Sequence, residues 1–321
     1  MTERVILHLG RPKTGTTAIQ AFLRVNKSLL AENDIHYVGN LAPLATPFPD
    51  YARMIQAASP EQYQVAIKGF QNVIAACQQT TFIYSNEIHY WSKKVLKAYK
   101  AAVGTLPLTV VLYLRRQDED LQAQYMQRVV DPDVRETRWI DEIEKHNLNL
   151  SQLLSDYDSV FGRYELVPRI YAKSSFLHGS IFEDFFFAAG LRFPEPVAYP
   201  DRSTSNISRG RLYIEILRLA NQRRPRETHA LNMSKIDAWL GDEAFKSQSS
   251  AYSFLSKAEQ NAIMEESAET NAEVARKYFS REDGILFEHH SLTENGQETI
   301  RAEHEKIQHE ANRLYDLIFT D

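Results

Sequence analysis

The chain has 321 residues, of which 43% are hydrophobic and 25% charged, so it carries ample apolar material for the core of an α/β domain. Its net charge of −5 and isoelectric point near 6.1 argue against a nucleic-acid partner. The single cysteine, Cys77, excludes an intramolecular disulfide and a zinc site built from a cluster of cysteines. Because the N-terminal stretch lacks a long apolar run, we expect a cytoplasmic protein without a membrane span.

Strand-like apolar runs alternate with amphipathic segments through the first part of the chain. Strands are predicted over residues 5–9, 82–85, 108–114 and 165–171. Helices are predicted directly after the first strand, through residues 65–77, and over residues 118–130 and 181–189; Val65 and Cys77 lie on the apolar face of the second, with Cys77 expected in the core. A proline-rich loop is predicted between residues 40 and 60. This alternation predicts an α/β fold, with a parallel sheet of P-loop-like topology flanked by helices.

The pattern changes after about residue 205, where helical segments dominate. Helices are predicted over residues 206–222, 256–279 and 297–318. Ile300, Ile307 and Leu314 repeat every seven residues, which predicts a terminal helix packed on the domain, with a homodimer contact as the alternative. We therefore predict a single domain over residues 1–321, with an α/β core over 1–200 and a mainly helical extension over 201–321 packed on it.

The segment RPKTGTT directly follows the first strand and has the features of an anion-binding loop. Gly10 and Gly15 bracket a turn that opens a helix, and glycine permits the backbone angles and close approaches of such a turn. The amides and the dipole at a helix start attract phosphate or sulfate. The spacing is close to that of a nucleotide-triphosphate P-loop, but Thr16 stands where the P-loop has lysine, and the lysine lies inside the loop as Lys13.

RPKTGTT resembles the 5′-phosphosulfate loop of sulfotransferases that use 3′-phosphoadenosine 5′-phosphosulfate (PAPS), typically P-K-[ST]-G-[ST]-[ST]. The resemblance implies that Lys13 contacts the bridging oxygen and the transferring sulfuryl group. It also implies that the nucleotide co-substrate is bound by other loop residues, namely Arg11, Thr14, Gly15, Thr16 and Thr17. Because a sulfuryl group carries less charge than a phosphoryl group, a lysine can replace a metal ion, and we expect no metal requirement.

A second signature lies where the strand LTVVLYL ends in two arginines and enters a helix. The same family places an arginine there for the 3′-phosphate, with a serine eight residues later. Arg115 matches the arginine, but the serine position holds Ala123, which cannot donate a hydrogen bond. Gln124, Gln127 and Arg116 are the candidates to replace it. The alternative interpretation is a solvated helix start with acidic residues in its first turn.

Three further segments resemble a bacterial, carbohydrate-type branch of this family. They are YSNE at residues 84–87, SDYDSVFG at 155–162 and NAEVARKYF at 271–279. Glu87 follows a strand at the sheet edge where ligands bind, so it is the first candidate for the general base that accepts the proton of the acceptor. His89 is the second candidate; His8, predicted to face the core, and His36 are weaker ones.

The resemblance implies transfer of a sulfuryl group from PAPS to a hydroxyl or amine, with a carbohydrate or glycolipid as the expected acceptor. Two alternatives stay open. One is a nucleotide kinase with a degenerate P-loop, which would need magnesium and ATP. No acidic magnesium motif follows the strand that ends in two arginines, which disfavours it. The other is a non-catalytic nucleotide-binding relative, which Ala123 keeps open.

Overall fold

The computed structural model of the protein describes residues 2–11, 13–39, 55–56, 58–87, 92–138, 140, 149–200, 210–246, 254–288 and 295–319. Within these ranges, the side chains of residues 242–246 and 295–304 are not described. Most of the proline-rich loop and His89 therefore lie outside the described residues. So does the polar segment STSNIS at residues 203–208, which the sequence predicts to cap a helix or to contact the nucleotide.

Strands and helices alternate through the first half of the described chain, as predicted. The strands are β1 Arg4–Gly10, β2 Ile35–Val38, β3 Thr81–Glu87, β4 Leu108–Leu114 and β5 Leu166–Ile170. The helices up to β5 and just beyond it are α1 Thr16–Val25, α2 Lys27–Glu32, α3 Pro60–Ala75, α4 Lys93–Val103, α5 Gln117–Val130, α6 Leu150–Phe161 and α7 Ile181–Ala188. The later helices are α8 Arg211–Arg223, α9 His229–Lys246, α10 Lys257–Glu266, α11 Ala268–Phe279 and α12 Asn295–Phe319.

The five strands form one parallel sheet in the order β2-β3-β1-β4-β5. This confirms the predicted α/β class, with β1 at the centre of the sheet. β1, β3 and β4 are buried along nearly their whole length, which is why they read as continuous apolar runs in the sequence. In the register between β1 and β3, Gly10 is paired with Glu87. The loop after β1 and the end of β3 are therefore neighbours.

Contacts divide the chain into two compact units. The sheet unit comprises Met1–Arg115, Asn149–Ser205 and Glu273–Glu282, and the helical unit comprises Arg116–Leu148, Asn206–Ala272 and Asp283–Asp321. The predicted boundary near residue 200 does not coincide with this division, because α5 belongs to the helical unit. The organisation as a single domain stays a prediction.

Each unit has its own apolar core. In the sheet unit, α1 packs Ile19, Phe22 and Leu23 against α7, and the ring of Phe22 stacks on Phe182 at a centroid distance of 4.5 Å. In the helical unit, α12 contacts α8 and buries Ala311 and Leu314, so this helix has an apolar face in contact with its own unit.

The predicted apolar face of α3 is partly wrong. Val65 is 71% exposed, and the helix buries the neighbouring Ala66 and Ile67 instead. Cys77 is buried as expected for a core residue, but it lies two residues beyond the end of the helix.

Candidate functional site

The loop after β1 lies at the carboxyl end of the central strand, the edge where parallel sheets bind ligands. Lys13 and Gly15 have φ angles of 63° and 80°, so both adopt the left-handed conformation. A Cβ atom on Gly15 would lie 2.3 Å from Cδ1 of Ile181 and 2.8 Å from Cε2 of Tyr171. Glycine is therefore required here both for the backbone angle and for the space.

Gly15 caps the start of α1, and this start is suited to an anion. No side chain caps the helix, and its first turn contains no acidic residue. The first amides of a helix have no partner within the helix, and its dipole makes this end positive. The start of α1 can therefore bind a phosphate or sulfate group through main-chain donors, as the sequence predicts.

Threonine hydroxyls brace the loop from inside. The Thr14 hydroxyl donates to the main-chain oxygen of Arg11 at 2.7 Å, and Thr14 is fully buried. A Cβ atom on Gly10 would lie 2.1 Å from Oγ1 of Thr16, so Gly10 leaves the space in which this hydroxyl sits. Thr17 is exposed. The structure thus directs two of the three hydroxyls toward the loop itself.

Arg11 is buried, with 6% of its surface exposed. Burial raises the pKa of Tyr157, and the positive charge of Arg11 opposes this effect, which indicates that the two side chains are close. Arg11 therefore faces the interior of the sheet unit, and its main-chain oxygen organises the loop.

Lys13, Glu87 and Arg115, which the sequence analysis singled out separately, lie together. The Arg115 guanidinium donates through Nη1 to the main-chain oxygen of Lys13 at 2.9 Å. Burial is the largest influence on the pKa of Lys13 and lowers it. The carboxylate of Glu87 opposes this lowering, and the charge of Arg115 adds to it. A half-buried ammonium group thus lies within the electrostatic range of one carboxylate and one guanidinium.

The structure describes His8 and His36, the two weaker candidates for the base. His8 is fully buried, its Nδ1 lies 2.8 Å from Oγ of Ser85, and burial lowers its pKa to about 3. It therefore faces the core, as predicted. His36 lies on β2 at the edge of the sheet, where its ring stacks on Phe82 at 6.0 Å.

Gln124 and Gln127 lie on α5, in the helical unit, and both are half-buried. The Gln124 side chain donates to Oδ2 of Asp120 at 3.0 Å. Their assignment to the 3′-phosphate stays a prediction.

Arg116 is engaged at the start of α5. Its guanidinium forms two hydrogen bonds with the Asp118 carboxylate, at 2.8 and 2.9 Å, and donates to the main-chain oxygen of Glu288 at 3.2 Å. For Arg116, these contacts support the alternative interpretation, in which residues 115–120 (RRQDED) are a helix start with acidic residues in its first turn.

Residues of the later sequence signatures form hydrogen bonds within each unit. Gln117 and Asn271, both buried in the helical unit, exchange two side-chain hydrogen bonds of 2.6 and 3.2 Å. In the sheet unit, the Tyr278 hydroxyl donates to Oδ2 of Asp158 at 3.1 Å. The Asn86 amide donates to the Tyr99 hydroxyl at 3.1 Å, which ties the end of β3 to α4.

Tyr171 is a site residue that the sequence analysis missed. It follows β5 directly, its ring lies close to Gly15, and the Arg115 guanidinium lies 5.5 Å from its centroid. Its position after a strand, at the same edge as Arg115, is the signal that could have found it. Gln20 was also missed; its side chain donates to the main-chain oxygen of Ser85 at 3.1 Å.

The described residues contain no group of three or more His, Cys, Asp or Glu side chains placed to hold a metal ion. Among the described helices, each is too short or too polar to cross a membrane.

No family model matches the chain. A protein of Archaeoglobus fulgidus, described as uncharacterized, is 28% identical over 182 residues, which are 55% of this chain and 47% of that protein. The match thus spans about half the length of that relative. The solved structure of a sulfotransferase from Alicyclobacillus acidocaldarius aligns with 77% of this chain and 99% of its own, at 15% identity and a TM-score of 0.38. The geometry of the loop, not this likeness, is the basis for a function.

Proposed function

We propose that the protein transfers a sulfuryl group from PAPS to a hydroxyl or amine of an acceptor. The observation that carries the proposal is the position of Lys13. It lies inside an anion-binding loop at the carboxyl end of the central strand, within the electrostatic range of Glu87 and Arg115.

The position of the lysine favours sulfuryl over phosphoryl transfer. A P-loop lysine follows the second glycine and reaches the β- and γ-phosphates, usually together with magnesium. Here Thr16 has that position and is buried, while Lys13 has a left-handed conformation before Gly15. A single ammonium group suits a sulfuryl group, whose charge is smaller than that of a phosphoryl group.

Each residue has a role that its surroundings support. The main chain at the start of α1 holds the 5′-phosphate. Lys13 stabilises the negative charge that develops on the bridging oxygen as the bond from this oxygen to sulfur breaks. Glu87 accepts the proton of the acceptor as its oxygen or nitrogen bonds to sulfur. The product nucleotide, 3′-phosphoadenosine 5′-phosphate, then leaves the site.

Further parts of the proposal rest on the sequence alone, from its resemblance to the family and from its composition and patterns. Arg115 contacts the 3′-phosphate, with Gln124 and Gln127 on α5 as candidate additional donors. The acceptor is a carbohydrate or glycolipid, the protein acts in the cytoplasm without a metal ion, and the terminal helix is the candidate homodimer contact.

The test is a comparison of nucleotides followed by a transfer assay. We expect calorimetry to detect 3′-phosphoadenosine 5′-phosphate without magnesium, and to detect ATP weakly or not at all. Labelled sulfate should then move from PAPS to a member of a saccharide and amine panel. Binding of ATP with magnesium, but not of the 3′-phosphorylated nucleotide, would favour the kinase instead. Nucleotide binding without transfer to any acceptor would favour the non-catalytic relative.

A further inference from the structure

One hydrogen bond joins the Arg115 side chain, which is expected to bind the 3′-phosphate, to the main chain of Lys13, the proposed catalytic lysine. The donor is Nη1 of Arg115, at the end of β4, and the acceptor is the carbonyl oxygen of Lys13, 2.9 Å away. A guanidinium presents five N–H donors in one rigid plane, so one such side chain can hold a carbonyl group and an oxyanion together.

The bonded carbonyl belongs to a residue whose conformation needs support. Lys13 is not a glycine, yet its φ angle is 63°. The left-handed region is disfavoured for residues with a side chain, and such conformations persist where surrounding contacts impose them. The hydrogen bond from Arg115 is such a contact, and it holds the peptide group between Lys13 and Thr14.

Tyr171 supports Arg115 from the next strand. The Arg115 guanidinium lies over its ring at 5.5 Å, within the range of a cation–π contact. The same ring lies so close to Gly15 that a Cβ atom there would come within 2.8 Å of it. Arg115 and Tyr171 thus contact the loop at Lys13 and at Gly15.

We infer that Arg115 is a positioning residue for Lys13, so that the group expected to recognise the 3′-phosphate also sets the geometry of the catalytic lysine. The inference rests on the proposed function for the role of the 3′-phosphate. It predicts that loss of the Arg115 guanidinium weakens the binding of ligands that lack a 3′-phosphate and also lowers turnover.

The experiment uses two nucleotides that differ only in the 3′-phosphate. We expect Arg115→Met to lower the affinity for adenosine 5′-phosphate about tenfold, the effect of one lost charge-assisted hydrogen bond, although this ligand has no 3′-phosphate. With saturating PAPS, kcat should also fall about tenfold or more. If calorimetry shows a loss confined to 3′-phosphoadenosine 5′-phosphate, Arg115 acts on that phosphate alone and the inference is wrong.

Arg115→Lys separates charge from geometry. It keeps a positive charge for the 3′-phosphate but replaces the planar fork, so it should restore affinity for the 3′-phosphorylated nucleotide more than affinity for adenosine 5′-phosphate. The matched control is Arg192→Met, which removes an exposed arginine after α7 and should leave both affinities unchanged. Equal rescue of both ligands by Arg115→Lys would count against the positioning role.

A readout without nucleotide keeps the inference distinct from the proposed function. If Arg115 holds the Lys13 carbonyl, Arg115→Met should raise the rate of tryptic cleavage after Lys13 several-fold relative to other sites. Tyr171→Leu should do so to a smaller extent, and it replaces the first variant if that one fails to fold. An unchanged cleavage rate would overturn the inference. Failure of the wild type to bind any adenine nucleotide would instead count against the proposed function, while the cleavage result still decides the role of Arg115.

Discussion

Two helices, α1 and α5, begin just after a buried parallel strand, and their first turns have opposite chemistry. α1 follows β1, begins after a left-handed glycine, and has neither an acidic residue in its first turn nor a side-chain cap. α5 follows β4 and has three carboxylates in its first turn, from Asp118, Glu119 and Asp120. The positive end of the dipole is thus neutralised by the protein itself at α5 and left for a ligand at α1.

The difference shows that a position after a parallel strand is not by itself enough to make a helix start an anion-binding site. Both starts lie at strand ends where α/β proteins bind ligands. At α5, Asp118 also neutralises Arg116 and raises the pKa of its guanidinium, chiefly through the hydrogen bonds between them. The first-turn residues therefore make the main-chain amides of α1 better suited to an external anion than those of α5.

The largest expected effect comes from removing the charge inside the α1 loop. Lys13→Met should lower kcat by ~10²–10³-fold, because it removes the group that stabilises charge on the leaving oxygen. Steady-state kinetics with PAPS measures this effect. Lys27→Met, a change of an exposed lysine on α2, is the control and should keep wild-type turnover. A loss below fivefold would place the catalytic charge elsewhere.

Removing the carboxylate at the end of β3 should have the next largest effect. Glu87→Gln should lower kcat ~10²-fold, the scale of a lost general base, while affinity for 3′-phosphoadenosine 5′-phosphate stays within a few-fold. Glu32→Gln changes an exposed carboxylate on α2 and serves as the comparison. Near wild-type turnover in Glu87→Gln would direct attention to His89.

The conformation of the α1 start can be tested at its glycine. Gly15→Ala places a Cβ atom against Ile181 and imposes a left-handed angle that costs about 1–2 kcal/mol in a residue with a side chain. Nucleotide affinity should therefore fall about tenfold, as measured by calorimetry. Unchanged affinity would show that the bound loop does not need this angle.

The pH dependence of nucleotide binding should reveal the surroundings of Lys13. Its ammonium form binds the anion, so affinity falls as the pH rises through its pKa, which burial lowers from 10.5. Because the Glu87 carboxylate raises this pKa, Glu87→Gln should move the basic limb to lower pH. Calorimetry across a pH series measures the shift, and a movement to higher pH would contradict the placement of the two charges.

The smallest effect is expected at the start of α5. Asp118→Asn leaves Arg116 with a weaker partner and removes a favourable charge at a helix start, so the free energy of unfolding should fall by about 1 kcal/mol. Thermal or urea unfolding measures it. Affinity for inorganic sulfate should change by no more than about fivefold, since a helix-terminal charge contributes about 0.3–1 kcal/mol. A large gain in sulfate affinity would show that α5 also offers an anion site.

The sequence predicted those features that depend on local pattern. Buried strands such as β4 are recognisable because both faces are apolar, and the glycine spacing marks the turn after β1. β2 escaped prediction because its four residues, IHYV, alternate between buried and half-buried positions and therefore do not form a continuous apolar run. The sequence analysis also did not identify α4, α6 and α9, and α9 contains a left-handed Gly241 that interrupts its pattern.

The contacts around Lys13 could be predicted only in part. The rule that ligands bind at strand ends brought Glu87 into consideration, and the family resemblance brought Arg115. The bond from Arg115 to a main-chain oxygen could not be predicted, because it depends on the left-handed angle of Lys13 and not on residue type. The exposure of Val65 could not be predicted either, because it depends on how α3 is rotated about its axis. Successive side chains of a helix point in directions about 100° apart, so a small rotation exchanges Val65 for its neighbours on the buried face.

The pairing of Gly10 with Glu87 in adjacent strands has a consequence for how this protein could change during evolution. The position where the α1 loop begins, relative to the proposed proton acceptor Glu87, is fixed by the spacing of a hydrogen-bonded ladder. Residues that line the acceptor site can therefore be substituted while the start of the α1 loop and Glu87 keep their spacing. A new acceptor preference would then require changes in the residues around the acceptor, but not in the paired ends of β1 and β3.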